Sequence, residues 1–588
     1  MKVVLKHDGR WLHFQSPEKT LVSHTPDDVL PMLEEAQQSG FHVAGFVSYE
    51  AASAFDPALK THPMENFPLL CLGLFPPPDV LEEIEQPVDA HYEIGALNPS
   101  ISMAGFETAI GKVKEHIATG ATYQVNHTYR LNAAFSGDAW AFFHDLVKGQ
   151  RTEHAAFIEY GDISICSASP ELFFSVRDGR IVSRPMKGTA RRGRTLAEDW
   201  RMAERLRTSE KDCAENIMIV DMVRNDIGRI AEPGSVETVS MFDIEKYPTV
   251  WQMTSTVSGW LGRRSLSDIF KALFPCASIT GAPKAKTMEI IRELETSPRK
   301  IYTGAIGFST PSGEVCFNVA IRTALIQNGS LEFGVGGGIV WDSDADAEYE
   351  ETLTKARVLT EPRPDFKLLE TMLWEPENGI FLLDGHLQRL GKSSAYFDVP
   401  MDMHEVLERL EQHVGGLAQV PHRIRLLVSR EGEMEIESVI IETGRACSPS
   451  APRTDHRSVP ILRVAIAKAP VDSQDVFLFH KTTHRVVYDS ARKTFPDCDD
   501  VVLWNERGEV TEGTIANIVV RKEGRLVTPP VECGLLAGTF REHLLKSGEI
   551  EEGIVTLEDL RGADDCYLVN SVRGWMRVDL EEVQWPAG

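Results

Sequence analysis

Ala155–Tyr160 and Ile163–Ala168 are short, mainly apolar runs that read as strands. Phe106–Thr119 and Leu196–Val223 instead show the three-to-four-residue spacing of amphipathic helices. Together they predict mixed α and β structure with large sheets. Further along, Ile424–Val428, Val501–Trp504 and Ile515–Val520 read as strands and Arg541–Lys546 as a helix. The sharpest break is Thr360-Glu361-Pro362-Arg363-Pro364-Asp365, where two prolines end the helical pattern running through Glu348–Leu353. The predicted organisation is a first domain over 1–360, a linker over 361–365 and a second domain over 366–588. Phe75-Pro76-Pro77-Pro78 reads as an internal connection, and no internal repeat is visible.

A chain of 588 residues is too long for one core and supports two domains. Its net charge of -26 opposes nucleic acid and anionic membrane surfaces, so neither is an expected partner. An anionic substrate would need local cations, a metal or backbone N–H groups. The opening MKVVLKHDGRWLHF lacks a signal peptide's apolar core, and no long uncharged apolar run follows, so a cytoplasmic location is expected. Nine scattered cysteines without a C-x-x-C pair speak against a disulfide framework or a zinc site.

Three segments punctuated by glycine or proline carry isolated polar groups: Ser169-Pro170-Glu171-Leu172-Phe173, Arg184-Pro185-Met186-Lys187-Gly188-Thr189 and Ile279-Thr280-Gly281-Ala282-Pro283-Lys284. They read as turns that present reactive side chains at strand ends. With Tyr123-Gln124-Val125-Asn126, Lys211-Asp212-Cys213-Ala214-Glu215-Asn216, Tyr302-Thr303-Gly304-Ala305, Ile321-Arg322-Thr323 and Gly336-Gly337-Gly338, they form an ordered set from about Gly105 to Lys355. That set resembles the chorismate-utilising family, which includes the large subunits of anthranilate synthase and aminodeoxychorismate synthase.

The resemblance implies a large antiparallel β-sandwich with flanking helices, within an α+β architecture. It also implies Mg²⁺ on Glu215 and Glu351, a hard cation suited to carboxylate oxygens. Thr280, Tyr302, Arg322, Gly336, Gly338 and Lys355 would bind the substrate. Glu171 would be the general acid and Lys187 a covalent nucleophile, because a lysine here marks the aminodeoxychorismate synthase type and an alanine the anthranilate type. Read without the family, Glu215 and Glu351 fit a charged helix face, and Lys187 fits a plain anion-binding cation.

A second ordered set begins at Asp384-Gly385-His386-Leu387-Gln388-Arg389. It continues through His480-Lys481-Thr482 and Thr511-Glu512-Gly513-Thr514 to Ala537-Gly538-Thr539-Phe540. Alone, Lys481 reads as a solvated strand-end residue behind the apolar run Val476–Phe479. The set resembles the class IV pyridoxal-phosphate family over roughly Phe366 to Trp585, which implies an α/β domain of the D-amino-acid aminotransferase type. The implied pyridoxal 5'-phosphate would meet Lys481 at its aldehyde, Glu512 at its ring nitrogen, and Arg389, Gly538 and Thr539 at its phosphate. Thr371 would offer the substrate a hydroxyl. The domain is expected to lack the short strand-turn opening of free-standing relatives.

Joined, the two resemblances imply synthesis of 4-aminobenzoate from chorismate and ammonia. A separate glutamine amidotransferase subunit would supply the ammonia, and the second domain could form a homodimer. The alternatives are an anthranilate-type synthase with an aminotransferase tail, a synthase whose tail transaminates amino acids, and a non-catalytic chorismate sensor or scaffold.

Overall fold

The computed structural model describes residues 1–87, 90–150, 152–262, 264–360, 364–441, 461–579, 583 and 585. Two compact units emerge: Met1–Arg192 with Met202–Arg363, and Gly193–Arg201 with Pro364–Gly588. Of the linker expected at 361–365, residues 361–363 lie outside the described residues. Gly193–Arg201, expected inside the first domain, groups with the second unit, where the Tyr396 hydroxyl donates to the Gly193 carbonyl at 2.7 Å.

In the first unit an eleven-stranded and a ten-stranded sheet are antiparallel throughout. The first is built around Gln124–Gly137, which pairs along its length with Ser330–Ile339 and runs on through Ile163–Ser169 and His154–Tyr160 to Lys2–His7. The second runs from Met186–Arg191 through Val250–Trp260, Arg180–Arg184 and Leu172–Arg177 to Val315–Val319 and beyond. Ala156, Ile158 and Ile165 of one sheet pack against Phe46, Ile306 and Phe308 of the other. Phe157, one residue out of phase with Ala156, joins Phe142 and Leu146 of the helix Ala139–Gln150 on the outer face. Period-two alternation with both faces covered explains why these strands are apolar almost throughout. The expected sandwich with flanking helices is the fold of this unit.

The helix expected over Leu196–Val223 is two helices, Leu196–Arg207 and Glu210–Gly228. Ser209 separates them because its side chain accepts from Asp212 N at 3.2 Å and caps the second. Lys187 was expected on a turn, but it lies in the strand Met186–Arg191. The ladder register shifts there between Met186 and Thr189, and Gly188 takes φ +100. A bulge, rather than a turn, aims the lysine.

In the second unit a four-stranded antiparallel sheet carries Leu368–Glu375 and His422–Val428 at its centre. Leu368, Met372, Ile424 and Leu426 pack with Leu390 and Phe397 of the helix Leu383–Phe397 and with Val406 and Leu410 of Met403–Gly415. The opening hairpin that the sequence was expected to lack is present, with Trp374 paired to Ile380. A nine-stranded sheet combines antiparallel ladders with parallel pairs such as Val464–Ile466 on Asp500–Trp504, giving the expected α/β character. Among the described residues, no helix is long and apolar enough to cross a membrane.

Candidate active sites

Each unit holds a cavity of about 420 Å³. In the first unit the cavity lies where the ends of both sheets meet the helices Glu210–Gly228 and Ala345–Ala356. Glu171 follows the strand Ile163–Ser169, and its main chain is held by Ser169 Oγ and by Val319 N, which donates to its carbonyl. Its buried carboxylate accepts from Ser278 Oγ at 2.6 Å and Met186 N at 3.4 Å. Burial pushes Glu171 up to about 7, against the smaller pull of these donors and of Lys187.

Lys187 Nζ lies 3.2 Å from Glu215 Oε2. The next residue, Asn216, donates from Nδ2 to the Lys187 carbonyl at 3.2 Å, so one helical turn holds both the amine and its backbone. Opposite stands Gly338, where a Cβ would come within 2.2 Å of Lys187 Nζ. Glycine there is the condition for the lysine to reach the cavity. Glu351 meets Lys355 at 2.8 Å, and that ammonium holds its carboxyl below the usual range. Lys355 also donates to the Gly336 carbonyl at 2.9 Å. Arg322, in the left-handed region at φ +48, donates to the neutral Gln150 at 2.7 Å and has no acidic partner among the described residues. An arginine desolvated without a counterion is prepared for an anion.

The cavity lining thus brings together Glu171, Lys187, Glu215, Tyr302, Arg322, Gly336, Gly338, Glu351 and Lys355. Thr280 is the exception. Its hydroxyl is spent on the Cys276 and Ala277 carbonyls, at 3.1 and 3.2 Å, and its carbonyl accepts from Asn126 N, so it braces the wall. Sequence reasoning missed Ser278 and Glu348. Glu348 lines the cavity one turn before Glu351 and accepts from Ser343 Oγ at 2.7 Å; burial raises its pKa, with Glu351 adding to the rise. Helical spacing of the two glutamates was the available signal.

Glu215, Glu348 and Glu351 line this cavity as hard oxygen donors, together with Asp212 and Glu171. Among the described residues, no three acidic, histidine or cysteine groups close on one point. Two carboxylates with water completing the shell are a fitting set for Mg²⁺, which keeps several waters.

The second cavity opens on one face of the four-stranded sheet, where Leu369, Thr371, Arg423 and Arg425 alternate with the core residues just named. Lys481 lies in the loop between the short turn Val476–Leu478 and the helix Val486–Thr494, tied to the sheet by Leu369 N donating to its carbonyl at 3.0 Å. It was expected at a strand end. The apolar run before it instead forms a single 3-10 turn, capped by Asp475. Burial, then the nearby Arg389, lowers the Lys481 pKa to about 8.

Glu512 is buried and accepts from the Tyr488 hydroxyl at 2.8 Å, Leu536 N at 3.1 Å and Asn517 Nδ2 at 3.1 Å. Burial pushes it up to about 7. Arg389 is clamped by both oxygens of Glu370, at 2.8 and 2.6 Å, and Glu370 also meets His386 Nδ1 at 2.7 Å. The helix Thr539–Ser547 begins at Gly538 and turns its N-terminus to the cavity through Gly538, Thr539 and Phe540. A Cβ on Gly538 would strike Asn517 Oδ1 at 1.9 Å, so the close approach requires glycine. Lys481, Glu512, Arg389, Thr371, Gly538 and Thr539 all line this cavity. Tyr488, Asn517, Glu370 and His386 were not foreseen. The set fits pyridoxal phosphate: a tunable amine, a buried carboxylate lacking a cation, and a helix N-terminus beside an arginine.

Residues 77–361 match the chorismate binding enzyme family and residues 367–580 match amino-transferase class IV. The chain therefore joins a chorismate-binding-enzyme domain to a class IV amino-transferase domain. Among particular proteins it is similar to aminodeoxychorismate synthase component 1 of Klebsiella aerogenes, 40% identical over 277 residues, 47% of this chain and 61% of that one. Anthranilate synthase component 1 of Cereibacter sphaeroides is 36% identical over 275 residues, 46% of this chain and 55% of that one. The crystal structure of anthranilate synthase component I from Streptococcus pneumoniae matches 61% of this chain and 90% of its own, with TM-score 0.51 and 27% identity. The first three curated relatives are matched over 36%, 61% and 56% of their length, less than two thirds in each case.

Proposed function

We propose that the chain makes 4-aminobenzoate from chorismate, by amination in the first cavity and loss of pyruvate in the second. The observation that carries this reading is a lysine in each cavity, each in the company its step needs. Chorismate has two carboxylates. Arg322, Tyr302 and main-chain N–H groups near Gly336 and Gly338 would hold their oxygens. Glu215 and Glu351, with Glu348 beside them, would hold Mg²⁺, which supplies positive charge for a substrate carboxylate when bound.

Lys187 Nζ bonds to a ring carbon, and the ring hydroxyl departs as water with the proton of Glu171, which burial keeps protonated near neutrality. Ammonia then bonds at the carbon the hydroxyl left, and the bond to Lys187 breaks. The surplus proton on the new amine returns to Glu171. Chorismate and ammonia thus become 4-amino-4-deoxychorismate and water.

In the second cavity pyridoxal phosphate, when bound, supplies an electron sink. Glu512 would hold its ring nitrogen, Lys481 its aldehyde, and Arg389 with the N–H groups at Thr539 its phosphate. Lys481, near 8, is partly neutral at physiological pH and takes the proton from the ring carbon that bears the amine. The ring carbon's bond to the enolpyruvyl oxygen breaks, the proton that Lys481 took passes to the enolpyruvyl methylene, and pyruvate leaves as the ring becomes aromatic. A separate glutamine amidotransferase as ammonia source, a dimer through the second domain and a cytoplasmic location complete the proposal; relatives named component 1 support the first of these.

The test supplies the purified chain with chorismate, Mg²⁺, an ammonium salt and pyridoxal phosphate and identifies the products. The expected pair is 4-aminobenzoate and pyruvate. Accumulation of 2-aminobenzoate would overturn the reading in favour of an anthranilate-type synthase.

A further inference from the structure

The second cavity is strongly cationic in a chain of net charge -26: six arginines and Lys481 line it against one carboxylate, Glu512. Four of the arginines are engaged. Arg389 is clamped by Glu370, and Arg425 donates to Glu437 at 3.1 Å. Arg485 donates to the Thr514 carbonyl and lies over the Tyr488 ring at 4.6 Å. Arg492 donates to Thr514 Oγ1 at 3.5 Å and to the Asp499 carbonyl at 3.3 Å.

Arg423 and Arg573 differ. Both are exposed, and neither side chain has a hydrogen bond or ion pair among the described residues. They stand on separate elements. Arg423 projects from the strand His422–Val428 of the four-stranded sheet, and Arg573 from the turn that joins Cys566–Asn570 to Gly574–Val578 in the nine-stranded sheet. A phosphate held at the helix N-terminus beside Arg389 leaves their charge uncompensated. A single carboxylate paired through both oxygens with one guanidinium leaves the other on the opposite element without its own anion. Two unengaged guanidinium groups on different walls match two separated carboxylates, each able to accept paired N–H bonds.

We propose that Arg423 and Arg573 form a carboxylate-reading rim, one arginine for each carboxylate, which restricts the second cavity to amino substrates bearing two carboxylates. The inference deepens the proposed function and rests on it, because 4-amino-4-deoxychorismate carries a ring carboxylate and an enolpyruvyl carboxylate. The rim also tells this substrate from the product 4-aminobenzoate, which keeps only one of them. Product release then follows from loss of an anchor.

The test measures pyruvate release from supplied 4-amino-4-deoxychorismate by full-length Arg423→Met, Arg573→Met, the double variant and Arg573→Lys. Each single methionine variant is expected to raise KM about tenfold with kcat little changed, and the double variant about a hundredfold. Arg573→Lys should recover part of the loss, and the cofactor absorbance band should match that of the parent protein. A double variant whose KM stays within about threefold of the parent overturns the rim, and leaves the lyase reading standing. Should the parent release no pyruvate, the proposed function fails instead. The rim is then decided by spectral titration of the bound cofactor with glutamate and alanine. Tighter binding of glutamate, lost in the double variant, sustains it, and equal affinities overturn it.

Discussion

The two lysines sit in cavities of similar size but opposite electrostatic company. Lys187 stands against the Glu215 carboxylate, in a cavity that Glu348 and Glu351 also line and where Lys355 pairs with Glu351. Among the described residues Lys481 makes no ion pair; it shares its cavity with six arginines and is lowered to about 8 by burial and then by Arg389. The difference matches the chemistry proposed for each cavity. In the first cavity the proposed attack needs an amine held at the ring, and Glu215 at 3.2 Å fixes Lys187 Nζ in place. In the second the proposed steps need an amine that gives up its proton more readily than a free lysine, and burial with Arg389 nearby lowers Lys481 in that direction.

Cutting one lysine at a time breaks the comparison most sharply. Lys187→Ala should lower ammonia-dependent amination of chorismate by about a thousandfold or more, while pyruvate release from supplied 4-amino-4-deoxychorismate stays near that of the parent protein. Lys481→Ala should do the reverse and lose the cofactor that borohydride otherwise fixes to the chain. Two separate assays check this, and loss of both activities in either variant would mean that the cavities do not work independently. Next in size is Gly338→Ala, whose methyl would press on Lys187 Nζ and on Gln124 Nε2. Amination should fall by about a hundredfold with the second reaction untouched.

Motif order fixed which side chains face a cavity more firmly than it fixed the elements that carry them. Strands such as His154–Tyr160 and Asp500–Trp504 were legible because both faces are buried and apolar. The break at Ser209 was hidden inside a continuous helical period, since a cap acts through one hydroxyl and leaves the period intact. The bulge at Lys187 was equally silent, because register belongs to the pairing and not to the strand alone. Partners were the least legible. Ser278 reaches Glu171 across 107 residues, and Tyr488 reaches Glu512 across 24, so neither pairing leaves a local pattern. Thr280 shows the converse: a residue inside a recognisable motif whose hydroxyl serves the wall.

The two raised glutamates sharpen the comparison further, because burial pushes both to about 7 while their proposed roles require opposite protonation states. Glu171 must be protonated to donate. The first reaction should therefore fall as pH rises through about 7, and Glu171→Gln should remove that limb at a cost of about a hundredfold. Glu512 must be ionised to hold a pyridinium, and that bound cation would itself pull its pKa down. The second reaction should thus show no falling limb at neutral pH, a contrast that pH profiles of the two assays would reveal.

The smallest effect is at Tyr488. Its hydroxyl donates to Glu512 at 2.8 Å, and both groups are buried. Tyr488→Phe removes one of three donors to that carboxylate and leaves the ring beneath Arg485. Each hydrogen bond to an ionised group contributes about 1.5–3 kcal/mol, and the two remaining donors can tighten in compensation. Cofactor affinity should therefore weaken by about tenfold, read from the dissociation of pyridoxal phosphate on dilution, while amination in the first cavity stays at the parent rate. An unchanged affinity would mean that Glu512 is held ionised by Leu536 N and Asn517 alone.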